Sequence, residues 1–593
     1  MLKNRNIKTG SENRLGLILS SSHNKIERNK ARPQPLSYHF FPLSVSKKNR
    51  IFVGEIHNIM KYPIGIQSLE DIINNGFVYV DKTDLVYKLA TEGKVYFLSR
   101  PRRFGKSLLM STLENYFLGR KELFLGLKID ALEKDWIEYP VFTLSFGKSN
   151  FMQKNNLEDA IEDFLLQAEK QYNVVPEVKS YGVRFANVLK AAHEQTGRQA
   201  VVLIDEYDKP LLDVMELDHY VMDGNDNKVG LEDYNRGILK GFYGVFKDAD
   251  KHLRFVMLTG VTKFSQVSVF SGFNQPQDIS MDSRYEALCG ITTDELLTVF
   301  DEPIRELAEK NKVSYDEIIG RLKRRYDGYH FSEEMIDIYN PFSLLNCFAS
   351  MRMRDYWFAS GTPTYLMRLL QHSDENINEF IGRYYDCSEF VNYKADVQKP
   401  LPMIYQSGYL TIKDYDDSTE TYRLDFPNQE VSAGFIDMLA SDYFKENREQ
   451  TTWIREVTMC LRDGNVERFM ELMKAQLASI SYEFQRKDDD KECERYYQYT
   501  FYLILMLTSK FYTIAERHTS NGRIDCVIST PLYIYIMEFK LNGSAKEAIQ
   551  QIEDKDYVAP YRASGKQIIC LGINFSSETG TINEYESRTL NSL

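Results

Sequence analysis

Ser99-Arg100-Pro101-Arg102-Arg103-Phe104-Gly105-Lys106-Ser107 is the stretch that decides how the first half of this chain folds. It follows the phosphate-binding pattern G-x-x-x-x-G-K-[ST], except that Arg100 stands where the first glycine belongs. The flanks fit the pattern. Val95–Leu98 is a short apolar β-type run, and Leu108–Leu118 reads as an amphipathic helix. Backbone N–H groups at a helix N-terminus hold phosphate oxygens. Arg103, Phe104, Gly105, Lys106, Ser107 and Leu108 are therefore the expected cradle, and ATP with Mg²⁺ is the expected ligand. Lys106 would reach the β- and γ-phosphates, and Ser107 would ligate Mg²⁺. Arginine lacks glycine's access to tight turns, so Arg100 demands a different loop path. Arg100, Arg102 and Arg103 are candidates to neutralise phosphate or to face a partner. An arginine finger is not assignable.

About a hundred residues on, Val201-Val202-Leu203-Ile204-Asp205-Glu206 is an apolar strand ending in two acids. Asp205 would hold the Mg²⁺ shell, and Glu206 would accept a proton from the attacking water. The next apolar run, Arg254–Thr259, leads into Gly260-Val261-Thr262-Lys263, where Thr259 or Thr262 could touch the γ-phosphate. Strand-like Phe77–Val80 and Val141–Leu144, with helical spacing over Leu157–Tyr172 and Phe185–Gln195, complete an alternating pattern across 60–285. Such alternation predicts an α/β fold: a P-loop NTPase parallel sheet with helices on both faces.

Residues 286–400 carry helical patterns, Thr292–Lys312 and Tyr315–Tyr326, with Pro303 as a kink or first-turn residue. This predicts a helical lid or winged-helix-like middle. The aromatic cluster Tyr326–Phe331 reads as a packed turn. Residues 401–487 read as a mixed connecting segment with strands at Tyr409–Tyr415 and Glu420–Asp425.

The last segment, 488–593, has the order αβββαβ. Phe511–Glu516 and Arg523–Ile528 flank Thr519-Ser520-Asn521-Gly522, which holds the Asn-Gly hairpin signal. Tyr533–Lys540 is a third strand, Ala545–Lys555 a helix and Gln567–Ile573 a strand. Glu538 and Lys540, two apart on one strand, share a face, and Asp525 joins them if the strands are neighbours. Asp525 and Glu538 would hold a divalent metal through hard oxygens. Lys540 would orient the attacking water, with Gln551 assisting from the helix and Glu516 a weaker third carboxylate. The competing reading of Glu538-Phe539-Lys540 is an ordinary strand end with solvated charges.

The bulk properties set the frame. At 593 residues the chain needs several domains. Its net charge is −12, yet residues 1–59 hold eleven Lys/Arg against three Glu. That basic stretch is expected to be a disordered extension outside the fold; a targeting peptide and a nucleic-acid-binding arm are the other readings. An acidic body argues against non-specific coating of nucleic acid. The seven cysteines are widely spaced with no C-x-x-C pair, so neither zinc nor a disulfide framework is indicated, and a reducing, cytoplasmic setting is expected. No window approaches the roughly 18 apolar residues of a membrane span, and Phe501–Leu507 reads as a core helix. The histidines lack metal-binding spacing, and Asp488-Asp489-Asp490 reads as a solvated lead-in.

Tyr62-Pro63-Ile64-Gly65-Ile66-Gln67, Tyr79–Thr83, Ser99–Ser107, Leu203–Pro210, Thr259–Ser265, Tyr326–Phe331 and Tyr339-Asn340-Pro341-Phe342-Ser343 together resemble the AAA-ATPase-like family of bacterial proteins, in which R-P-R-R-F-G-K-S is the usual loop. Gly522–Asp525, Glu538-Phe539-Lys540 and Ala548-x-x-Gln551-Ile552 resemble the PD-(D/E)XK nuclease superfamily, with its restriction-endonuclease-like domain. The resemblance implies an ATPase coupled to a metal-dependent nuclease acting on nucleic acid, DNA before RNA, with an oligomer allowed. The alternatives are a nucleotide-dependent switch whose inactive nuclease fold docks partners, and a structural protein with both sites vestigial.

Overall fold

The computed structural model describes residues 60–590, apart from 216–218, 224–226, 264–275, 359–365, 367–379, 392–398, 444–449, 479–512, 520–521, 577 and 580. The expectations for residues 1–59, Asp488–Asp490, Phe501–Leu507 and the Ser520-Asn521 turn lie outside the described residues.

Five strands form the first sheet: β1 (Val95–Ser99), β2 (Val141–Ser145), β3 (Ala200–Asp205), β4 (Leu253–Gly260) and β5 (Gln277–Asp278). All neighbours are parallel, in the order β2-β3-β4-β1-β5. β3 is buried at every residue, and β4 at all but Arg254. A parallel strand with no polar face must be covered on both sides, so the apolar runs of the sequence become the sheet's interior. Helix α1 (Lys106–Phe117) follows β1 directly and buries Leu109, Met110, Leu113 and Phe117. Phe77–Val80, expected as a strand, makes only a single parallel bridge, Lys61 to Phe77. Val78 and Val80 are instead spent against the core of the helical region.

That region contains Thr293–Val299, Asp301–Asn311, Tyr315–Tyr326 and Pro341–Ser350. The expected helix Thr292–Lys312 is broken at Phe300, which caps the first piece and buries its ring. Pro303 falls in the first turn of the second piece, where its missing N–H costs nothing. Leu296, Phe300, Leu307, Ile318, Leu322 and Phe348 form a core of their own.

The expected boundary at 400 is corrected by a small antiparallel sheet. Its strands are β6 (Arg383–Asp386), β7 (Thr411–Asp416) and β8 (Thr421–Asp425), in the order β6-β8-β7, so pairing crosses that position. Met403, Ile404, Tyr409 and Leu424 belong to the same core as Phe97 and Phe104. The segment is thus part of the first body's interior.

The C-terminal sheet runs β9 (Thr513–Thr519), β10 (Gly522–Ser529), β11 (Tyr533–Leu541), β12 (Gln567–Ser576) and β13 (Thr581–Leu590) in simple order. Only β11 and β12 are parallel, and helix α2 (Ala545–Asp554) makes the crossover. A capping box between Ser544 and Glu547 starts α2. Two corrections apply. A further strand, β13, follows the one expected to be last. And helices Gln450–Asp463 and Val466–Ala478 pack Val457, Leu461, Phe469 and Met473 against Cys526, Tyr535 and Met537, so this body begins well before 488. Each fully buried side chain of that kind is worth about 1.5–3 kcal/mol, and the sheet lacks this cover without the helix pair.

Candidate functional site

The nucleotide-type site forms where β1, β3 and β4 end side by side. Sequence separates these strands widely, and β4 lies between the other two. Gly105 caps α1 with φ +92, a conformation open to glycine and strained for other residues. Arg103 also takes a left-handed φ of 69. The loop's left-handed turns thus fall at Arg103 and Gly105, and Arg100 is not among the positive-φ residues.

Ser107 Oγ donates to Asp205 Oδ2 (2.6 Å), and Thr259 Oγ1 donates to Asp205 Oδ1 (2.6 Å). Asp205, at the end of β3, is therefore fixed from β4 and from the start of α1. Lys106 Nζ donates to the Arg100 and Pro101 carbonyls (2.9 and 3.0 Å), and burial pulls its pKa down. Glu206 has φ 54, and its carboxylate lies against Gly147, beyond the end of β2. Its pKa is raised by burial and then by the neighbouring Asp205 charge. Leu108 lies half-buried in the first turn of α1.

Three expectations change here. Thr262 is committed elsewhere: its Oγ1 and N–H, with the Val261 N–H, bind Asp208 Oδ2 (2.8, 2.6 and 2.8 Å). This leaves Thr259 as the strand-end hydroxyl beside Asp205. The Phe104 ring is buried edge-on to Tyr329 and Phe331 (centroids 4.7 and 5.6 Å), so only its backbone remains for a ligand. Arg100 points into the protein. Its guanidinium is 1% exposed, with Nη1 donating to Ser280 O (2.6 Å) and Cζ 4.0 Å from the centre of the Phe331 ring. It cannot neutralise phosphate from there. The turn Tyr326–Phe331 is therefore the back wall of the loop, and Glu286 secures it by accepting from the Phe331 and Ser332 N–H groups (2.9 and 3.2 Å). Arg103 lies over Phe342 (5.0 Å), and Trp357 Nε1 donates to Arg102 O (3.0 Å). Nothing in the spacing of the sequence signals these long-range supports.

The second site lies on β10, β11 and α2. Pairing of Cys526 with Met537, continued by one residue, sets Asp525 across from Glu538. Asp525 Oδ2 accepts the Phe539 N–H (2.9 Å). Glu538 is 3% exposed, and burial, reinforced by the Asp525 charge, pushes its pKa up to about 8. Gln551 Nε2 donates to Glu538 Oε1, and Lys540 Nζ donates to Gln551 Oε1 (2.6 Å). Lys540 Nζ stands 3.8 Å from Glu538 Oε1. The four expected residues thus converge. Glu538 Oε2 is buried with no hydrogen-bond partner, a vacancy in its bonding that suits a divalent cation held by hard oxygens. Among the described residues no group of three metal-ligating side chains assembles, and the side chain of Glu516 lies outside them.

Two residues missed in the sequence build this geometry. A Cβ on Gly572 would meet Ala545 O at 2.4 Å, so glycine there lets α2 lie close enough for Gln551 to reach Glu538. Asn574 is buried and clamps Gly543 through both amide atoms (3.0 and 2.9 Å), fixing the turn into α2. A buried asparagine inside an apolar strand was the available signal.

A P-loop-type parallel sheet and a mixed sheet carrying D…E-x-K define the class: an ATPase-like body joined to a nuclease-like one. Comparison agrees. Residues 63–270 match the family model described as predicted AAA-ATPase, and residues 492–585 match that of the PD-(D/E)XK nuclease superfamily. A protein of Azotobacter chroococcum mcd 1, "Uncharacterized protein in vnfD 5'region", is 35% identical over 539 residues, spanning 88% of this chain and 98% of that relative. The chain belongs to its family, that of AAA-ATPase-like proteins with a C-terminal PD-(D/E)XK nuclease-superfamily domain. No helix among the described residues is long and apolar enough to cross a membrane.

Proposed function

We propose that the protein hydrolyses ATP with Mg²⁺ and couples that turnover to a metal-dependent nuclease domain acting on nucleic acid, DNA before RNA, in the cytoplasm. The observation that carries this reading is the convergence of Asp525, Glu538, Lys540 and Gln551 within one hydrogen-bonded cluster in a chain that also holds the Ser107–Asp205–Thr259 array.

In the first site, Ser107 and Asp205 would hold Mg²⁺, which supplies charge neutralisation at the phosphates. Lys106 leaves the Arg100 and Pro101 carbonyls and turns to phosphate oxygens, and the loop N–H groups of Arg103–Leu108 orient them. Glu206, with its raised pKa, takes the proton of the attacking water. Thr259 keeps Asp205 in place.

In the second site, Asp525 and Glu538 would hold a divalent metal, which supplies Lewis acidity at phosphorus. Glu538 must give up its proton to do so. Gln551 steadies one oxygen of Glu538 and directs Lys540, whose ammonium positions the attacking water.

The test is cleavage of DNA and RNA with Mg²⁺ or Mn²⁺, with and without ATP. Asp525→Ala and Glu538→Ala should abolish cleavage. The coupling is falsified if Lys106→Ala and Glu206→Gln, both lacking ATPase activity, cleave at the wild-type rate. Binding of nucleic acid without cleavage by the wild type would favour the nucleotide-dependent switch instead.

A further inference from the structure

Three arginines stand in the loop, and the structure sends them to three places. Arg100 is buried, with Nη1 on the Ser99 and Ser280 carbonyls (3.0 and 2.6 Å). Arg103 lies over the Phe342 ring, 5.0 Å from its centre. Arg102 is exposed, yet its charge is felt inside the site. Burial and the Asp205 charge raise the Glu206 pKa, and Lys106 and Arg102 are cations that oppose that rise. In salt water such an influence fades beyond about 10 Å. Arg102 therefore shares the mouth of the site with Lys106 and Glu206, at the end where the terminal phosphate of a nucleotide would lie.

The backbone that carries Arg102 is fixed on both sides. Arg100 N donates to Gly260 O (3.2 Å), at the end of β4. Pro101 has its φ locked by its ring and lies against bare backbone, since a Cβ on Gly408 would meet it at 2.5 Å. Trp357 Nε1 donates to the carbonyl of Arg102 itself (3.0 Å), and the Trp357 ring is buried against Tyr409 (centroids 5.2 Å). Arg103 then turns the chain with φ 69. A non-glycine residue in that region is strained, and such strain collects at functional sites. These contacts hold the Arg102 backbone without using its side chain. Charge stabilisation is effective when donors are set in place before the reaction, and a planar guanidinium can meet two phosphate oxygens at once.

Given the ATPase reading, we propose that Arg102 is a catalytic residue of the nucleotide site, an arginine supplied in cis by the loop itself to hold the γ-phosphate oxygens and stabilise the charge that shifts during hydrolysis. Water adds to the γ-phosphorus, the bond from that phosphorus to the bridging oxygen breaks, and its electron pair leaves on ADP. The water proton goes to Glu206. Arg102 stays charged throughout and exchanges no proton. Arg100 cannot take this part from the interior, and Arg103 is engaged with Phe342.

The experiment uses the full chain and compares binding of ADP with binding of ADP plus aluminium fluoride, a mimic of the phosphoryl group in transfer. Calorimetry gives the affinities, and phosphate release gives kcat and KM for ATP. Arg102→Ala should lower kcat about 1,000-fold, the scale of a lost arginine finger, with ADP affinity and melting temperature close to wild type. The gain in affinity that aluminium fluoride brings to the wild type should disappear. Arg102→Lys keeps the charge but not the planar fork and should recover part of kcat. Mixing Arg102→Ala with Lys106→Ala should restore nothing, because the arginine serves its own loop. Wild-type kcat in folded Arg102→Ala, with the fluoride gain intact, overturns the assignment and leaves the ATPase reading standing. Restored turnover in the mixture overturns the cis assignment. A wild type that binds no ADP overturns the ATPase reading and this assignment together.

Discussion

The two sites solve the same problem differently. In each, an aspartate at a strand is held by donors, and a lysine rests on neutral oxygens: Lys106 on the Arg100 and Pro101 carbonyls, Lys540 on the Gln551 amide. The first site is internally satisfied, since both Asp205 oxygens accept short hydrogen bonds from hydroxyls. The second is not, because Glu538 keeps a buried oxygen without a partner. A satisfied carboxylate is pre-shaped and waits for its ligand. An unsatisfied one must hold a proton or a cation. The contrast separates a site whose carboxylate is already satisfied from one governed by what occupies it.

The comparison breaks most sharply through single-site variants. Lys106→Ala should lower ATP hydrolysis by about 100-fold or more, on the scale of losing a charge-stabilising donor, and leave the melting of the C-terminal body unchanged. Glu538→Ala should abolish nuclease activity and leave ATPase activity intact. Steady-state phosphate release and cleavage of labelled DNA measure the two.

Gly572→Val tests whether the second site depends on the close approach of α2. The added side chain meets Ala545 O and Ile549, so α2 must shift and Gln551 lose Glu538. Overpacking of this kind costs about 1–3 kcal/mol, and cleavage should fall more than stability alone explains. Cleavage at the wild-type rate in folded protein would break the argument.

Phe331→Ala tests the wall behind the first site. It removes the face under Arg100 and the edge contact to Phe104, and should cost about 3–5 kcal/mol in denaturant unfolding. Weakened nucleotide binding should accompany it.

A pH experiment probes Glu430, a buried acid outside both sites whose carboxylate accepts from the Trp357 N–H (2.8 Å). Burial pushes Glu430 from its ordinary 4.5 up to about 7. The folded state therefore keeps a proton that the unfolded chain gives up above about 4.5. That stabilisation is complete below 4.5 and is lost as pH climbs through about 7. The swing is on the order of 3 kcal/mol, and Glu430→Gln should remove that share of the pH dependence in unfolding midpoints, leaving the shares of Asp327 and Glu538, which burial also pushes up, to about 7 and about 8.

The smallest expected effect is at Gly147→Ala. Its Cβ meets the flexible end of Glu206 at 2.7 Å, so the carboxylate swings aside at little cost in stability. A change in ATPase rate without a change in melting temperature would mark Glu206 as the residue displaced.

Local signals explain what was legible. Gly105-Lys106-Ser107 between an apolar run and a helix, Asp205 at the end of a five-residue apolar strand, and Glu538 two residues from Lys540 are all readable because a strand's period and a helix's start are set by near neighbours. These features determined both fold classes from sequence alone and pointed to the residues of the two candidate sites. Tertiary structure decided the rest. It placed β4 between β1 and β3, turned Arg100 inward onto Ser280 and Phe331, tied Thr262 to Asp208, carried the first body across position 400 and set α2 against Gly572. Each of these joins residues far apart along the chain. Such contacts depend on which surfaces pack together, and no short-range pattern of residues encodes that choice.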